Sequence, residues 1–226
     1  MKRILFLIAY SVFVSLSFGQ TIDFQTNAPR CGDVIKRQQV EYFSSTKDGK
    51  DVLWDFSELN VLDKKEDIEY FLGKDSVLRS ADSERMCFYN LSEDSLILTG
   101  YDSPLERMAY TQPIHLMAYP FSYGYTMSND YDGTGSYCQR QVIKQKGTHF
   151  IEADAEGSII NANGDTLQNV IQIHSIRTGS LCYYSPSDSL FEDSSHIKQV
   201  IQDVYQWYAK GYRYPLYETT STAYQF

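Results

Sequence analysis

After its first nineteen residues the chain has no apolar run approaching the roughly 20 residues that a membrane-spanning helix requires. It also lacks a block of basic residues: Lys64-Lys65 is flanked by Asp63, Glu66 and Asp67, and 29 Asp and Glu outnumber 20 Lys and Arg, for a net charge of −9. A surface of that sign repels nucleic acid and anionic lipid, so no nucleic-acid partner is expected. Cys-x-x-Cys, His-x-His, His-Glu-x-x-His and Gly-x-Ser-x-Gly are all missing, which removes the local redox, zinc and serine-nucleophile signatures. With 6 prolines, no low-complexity linker and no internal repeat, residues 20–226 read as one domain. The Pro-bearing stretch 104–120 is the place where a subdomain seam would fall.

What is present begins with the leader. Lys2 and Arg3 precede the apolar run Ile4 to Phe18, and Ser17-Phe18-Gly19 offers a small-x-small cleavage site. Residues 1–19 are therefore expected to be a signal peptide, and the protein to work in the periplasm or outside the cell. Gln20, not cysteine, would follow the cut, so a released protein and not a lipid-anchored or integral membrane one is expected. In an exported chain the four cysteines, Cys31, Cys87, Cys138 and Cys182, become disulfide candidates, with three pairings open.

Short runs rich in Val, Ile, Tyr, Phe and Trp recur between clusters of Gly, Asn, Asp and Ser, and no strand–helix alternation is visible. The expected class is all-β and mainly antiparallel, a β-sandwich or open barrel. Asp48-Gly49, Asp132-Gly133 and Asn163-Gly164 supply turn residues, and Gly157 to Ile176 reads as a hairpin around Asn163-Gly164. One stretch fits two patterns. Ile197, Val200, Ile201 and Val204 fall at helical spacing, giving a short helix over 194–204, whereas the aromatic run Tyr205 to Tyr208 fits a strand from Val204 onward. The 19 tyrosines suit half-buried strands whose rings are covered while their hydroxyls reach water, or a face that binds sugars or peptides.

Candidate chemistry is sparse. Asn129-Asp130-Tyr131-Asp132-Gly133 resembles the opening of a calcium loop, but Gln141 stands where an EF-hand wants a bidentate Glu. An irregular Ca²⁺ site at Asp130 and Asp132 is the one cofactor the sequence offers; otherwise none is expected. Glu152, Asp154 and Glu156 alternate, so on an extended strand they would share a face, as glycosidase carboxylates can. The histidines His115, His149, His174 and His196 are scattered. Ser76, Ser95, Thr166 and Ser189 each follow an Asp and precede an apolar residue, which resembles the acceptor tripeptide of O-glycosylation in exported proteins of Bacteroidota.

Four soft segments, Trp54-Asp55-Phe56-Ser57, Tyr119-Pro120-Phe121-Ser122-Tyr123-Gly124, Gly164 to Val170 and Trp207 to Pro215, resemble a group of uncharacterised exported β-rich proteins of Bacteroidota. The resemblance implies a β-rich fold and an exported life, and brings no catalytic residues. The expected function is thus a non-catalytic binding or structural module of the cell envelope, with a glycan, peptide or envelope protein as partner. A glycan hydrolase using the acidic residues is the alternative, and an outer-membrane β-barrel the second.

Overall fold

The structure, a computed structural model, describes residues 20–44, 47–185 and 197–225. Residues 1–19, expected as a signal peptide, and Ser189 lie outside the described residues. The chain is all-β, as its periodicity predicts, but it forms one dominant sheet in place of the two layers of a sandwich. From one edge, that sheet runs through β2 (Val34–Val40), β4 (Val61–Leu72), β5 (Leu78–Ala81), β6 (Met86–Leu91), β7 (Ser95–Asp102) and β8 (Glu106–Ala118). It continues through β10 (Thr126–Tyr137), β11 (Gln141–Ile160), β12 (Thr166–Tyr184), β13 (Ile197–Ala209) and β14 (Tyr217–Gln225). Neighbours on this path are antiparallel. The parallel exception is β3 (Gly49–Asp55), which lies along the C-terminal half of β11. A small second sheet pairs β1 (Thr21–Ile22) with β9 (Phe121–Ser122), and the turn of helix α1 (Phe24–Asn27) is capped by the Asp23 carboxylate at 2.8 Å from Thr26 N.

The expected hairpin at 157–176 forms: Ile160 faces Thr166, and the Asn161 side chain accepts from the Asn163 and Asp165 amides. The stretch 104–120 becomes β8, hydrogen-bonded on both sides. Two local expectations are corrected. From Ile197 the segment expected as a helix over 194–204 is strand β13, paired with β12 along its length and with β14 from Gln199 to Trp207; these two ladders override the helical spacing, and Ile197 and Ile201 stay exposed. Asp132-Gly133 is no turn but a bulge inside β10, where a Cβ on residue 133 would press on the Tyr110 ring. The turn falls instead at Cys138-Gln139, both at positive φ.

The sheet does not close into a barrel. Its edge strands β2 and β14 share no backbone ladder. Side chains join them instead: Arg213 donates to Ala28 O (2.6 Å) and Gln25 O (3.0 Å), Asn27 to Tyr212 O (3.1 Å), and Tyr214 to Asp33 (2.8 Å). Arg37 of β2 pairs with Glu218 of β14 at 3.4 Å. This clasp brings the two ends of the curved sheet face to face.

Three apolar clusters follow. One, with Phe121, Ile151, Ile173 and Tyr208, and another, with Tyr110, Ile114, Tyr131 and Ile143, lie on the concave side. The third, around Trp54, Phe56 and Trp207, covers the convex side, because β3 and its flanks fold over β12 and β13 there. Trp207 and Tyr208 are consecutive strand residues and so point to opposite faces, which ties both layers to one strand.

Candidate functional site

A cavity of about 260 Å³ opens on the concave side, between the two sheet ends. It is lined by Tyr70, Tyr89, Tyr119 and Tyr208 and, on its floor, by His149, Ser175, Arg177 and Gln202; the clasp residues Tyr214 and Asn27 border it. Cross-strand register builds its floor. Asn129 of β10 faces His149 of β11, His149 faces Arg177 of β12, and Arg177 faces Gln202 of β13. Residues paired in this way share a face with Cβ atoms about 5 Å apart, so these side chains form one polar row, of which His149, Arg177 and Gln202 line the cavity. The next row, Ile151, Ser175 and Val204, is nearly apolar.

The row has a definite protonation pattern. His149 Nδ1 lies 2.9 Å from His115 O; a carbonyl has no hydrogen to give, so Nδ1 carries the proton. Burial, and secondarily the Arg177 charge, holds the His149 pKa down to about 4, so the ring is neutral at physiological pH and Nε2 is an acceptor. Arg177 is the cation of the row. Its Nε is buried without a hydrogen-bond partner among the described residues, and no carboxylate lines the cavity beside it. In a chain with 29 carboxylates, a cavity holding two arginines and none of those carboxylates is a local reversal of charge. Asp33 and Glu218 stand behind the wall, held by Tyr214 and by Arg37 and Gln206.

Two of the tyrosines here have covered rings and hydroxyls met by protein groups. Tyr214 donates to Asp33, and Tyr89 and Ser80 share a hydrogen bond at 2.9 Å. Tyr70 stacks on Tyr214 with centroids 5.6 Å apart and planes at 19°. Burial pushes the Tyr70 hydroxyl up to about 12, so it too stays protonated.

The residues singled out in the sequence lie elsewhere. Glu152 faces His174 across the ladder on the convex side, and Asp154 accepts from Gln172 at 2.8 Å and lies 3.6 Å from His174 Nδ1. His174 Nε2 meets Asp203 at 2.7 Å, and its ring stacks on Tyr205 at 4.0 Å. Burial raises the Asp154 pKa. The shared face expected for the three carboxylates is corrected by a bulge between Glu152 and Ala155. Beyond it Ala155 joins the face of Gln172, and Glu156 turns to the face of Ile171, where it pairs with Lys50 at 3.2 Å. None of the three lines the cavity.

Asp130 and Asp132 lie on strand β10, not in a loop, and Asp130 accepts from Thr148 Oγ1 at 2.9 Å. The Asp130 carbonyl accepts from Asn129 Nδ2 at 3.0 Å and the Asp132 carbonyl from Thr111 Oγ1 at 3.3 Å. The four cysteines are free, which corrects the disulfide expectation. Cys31 precedes β2, Cys138 sits in the β10–β11 turn, and Cys87 and Cys182 lie on β6 and β12, with four strands between them in the sheet. Ser76 and Thr166 are exposed, and Ser95 opens β7 with its hydroxyl 3.1 Å from that of Ser92. Family models, curated proteins and solved structures compared with the chain give no match. The cavity must speak for itself. Arg177 and His149 carried no local signal, since nothing nearby in sequence tells that residues 28 positions apart become cross-strand neighbours.

Proposed function

We propose that this protein is an exported, non-catalytic binding module that takes small ligands into the cavity between the ends of its open sheet. The observation that carries this reading is the buried, unpartnered Arg177 Nε in a cavity stripped of carboxylates. A protein interior leaves a donor unsatisfied rarely, and at considerable cost, unless something from outside completes it. The basic-then-apolar leader supports the exported setting.

The hydrolase reading draws less support, because Glu152, Asp154 and Glu156 divide between two faces and have protein partners instead of a shared cleft. A membrane barrel must pair every edge, and here β2 and β14 meet only through side chains. Among the described residues no helix is long and apolar enough to cross a membrane.

The test is a thermal-shift screen of the protein against a fragment library, beside the variant Ser175→Phe, which fills the cavity from the floor without removing a hydrogen bond. Fragments at about a hundred times their Kd should stabilise the wild type by about 2.7 kcal/mol, or roughly 5–10 °C, and leave the variant unmoved. A library that shifts neither protein, or both equally, overturns the reading.

A further inference from the structure

We infer that the cavity selects a small aromatic monocarboxylate, its carboxylate held by Arg177 and Gln202 and its ring seated among the tyrosines. This inference rests on the cavity being a ligand site. Three features of the wall lead to it.

The first is charge. Arg37 also borders the cavity, but it is already paired with Glu218, so Arg177 is the cation left to answer an anion. One guanidinium beside a neutral His149 balances a single negative charge; a phosphate-like dianion would stay half compensated. The Arg fork suits a planar carboxylate, and the Gln202 amide, next along the row, supplies a further donor. His149 Nε2, an acceptor, suits a ligand hydroxyl and not a second anionic oxygen.

The second is size. An apolar cavity of ~150 Å³ holds one benzene, so 260 Å³ scales to roughly ten non-hydrogen atoms. That is a phenyl ring with a short acid arm, or a medium-chain fatty acid. The third feature decides between those two. Tyr70, stacked on Tyr214 and tilted 33° to Tyr89 at 6.3 Å, leads a wall of aromatic rings that continues with Tyr119 and Tyr208. Rings of this density gain offset and edge-to-face contacts with another ring that a flexible alkyl chain does not return, and a rigid ligand loses less freedom on entry.

The experiment is isothermal titration with four probes: phenylacetate, phenethyl alcohol, octanoate and inorganic phosphate. Phenylacetate should bind at least tenfold more tightly than phenethyl alcohol or octanoate, and phosphate should give no heat. Arg177→Gln should abolish the preference for the acid over the alcohol. In the wild-type protein, NMR titration of the His149 ring should show its pKa rising from about 4 when phenylacetate is present, as an anion beside it favours the imidazolium. That reading stands even if the variant fails to fold. Equal binding of acid and alcohol, a preference that survives Arg177→Gln, an unmoved His149, or octanoate as the tighter acid would each overturn the inference. Binding of the alcohol without preference leaves the cavity reading intact. Failure of all four probes and of the fragment library removes both.

Discussion

His149 is the residue through which acid reaches the interior. Its folded pKa, about 4, lies below the ordinary 6.5, so the unfolded chain takes up this proton first as pH falls. The sign follows from linkage: the His149 contribution is constant above 6.5, falls between 6.5 and about 4 by about 3 kcal/mol, and is constant again below, where the native ring also protonates. His149→Gln keeps a side chain able to donate to His115 O and removes the titration. Its urea-unfolding free energy should therefore fall less steeply than that of the wild type from pH 6.5 to 4; parallel curves would discard the assignment. Of the individual residues, the sequence disclosed the polarity of the acidic trio, because strand alternation is a local property. It did not disclose Arg177, whose meaning depends on His149 and Gln202 arriving from other strands.

Among the elements, β3 has the most demanding fit. It lies parallel to β11, and residue 157 must be glycine because a Cβ there would run into the Val52 backbone. Gly157→Val should therefore unseat β3 and loosen the cover over Trp54 and Trp207, while the β10–β11 ladder holds. Hydrogen exchange reads this directly: amides 52–55 should lose protection and amides 127–135 keep it, and unchanged protection at 52–55 would refute the fit. Element identity was legible wherever pattern and turn chemistry were both local, as at Asn161 to Asp165. It failed where a partner strand overrode a local preference. The helical spacing from Ile197 gave way to two long ladders, and the turn-like Asp132-Gly133 was absorbed as a bulge because Tyr110 needs the space over Gly133. The bulge after Glu152 had no sequence signature, and it is what scattered the expected carboxylate face.

At the scale of the whole molecule, the antiparallel all-β class was readable from composition and spacing, while the choice of one curved sheet held by a clasp was not. Nearly every ladder joins strands that follow one another along the chain, so hairpins can form and add in sequence. The clasp spans nearly the whole chain: Arg213 and Ala28 are 185 residues apart. Contacts of that separation carry the largest loop-closure cost and are expected to form last, after the rate-limiting step of folding. Arg213→Ala removes two charge-assisted hydrogen bonds and should cost about 1–3 kcal/mol, expressed as roughly tenfold or faster unfolding with an unchanged refolding rate. A slowed refolding limb in the stopped-flow chevron would place the clasp in the nucleus instead. Since the cavity has no second wall until the clasp shuts, the contacts that complete the proposed site are the same ones expected to set the lifetime of the folded chain. A ligand taken up there would act as a kinetic lock: it would leave the protein's assembly speed alone and lengthen the time before it comes apart.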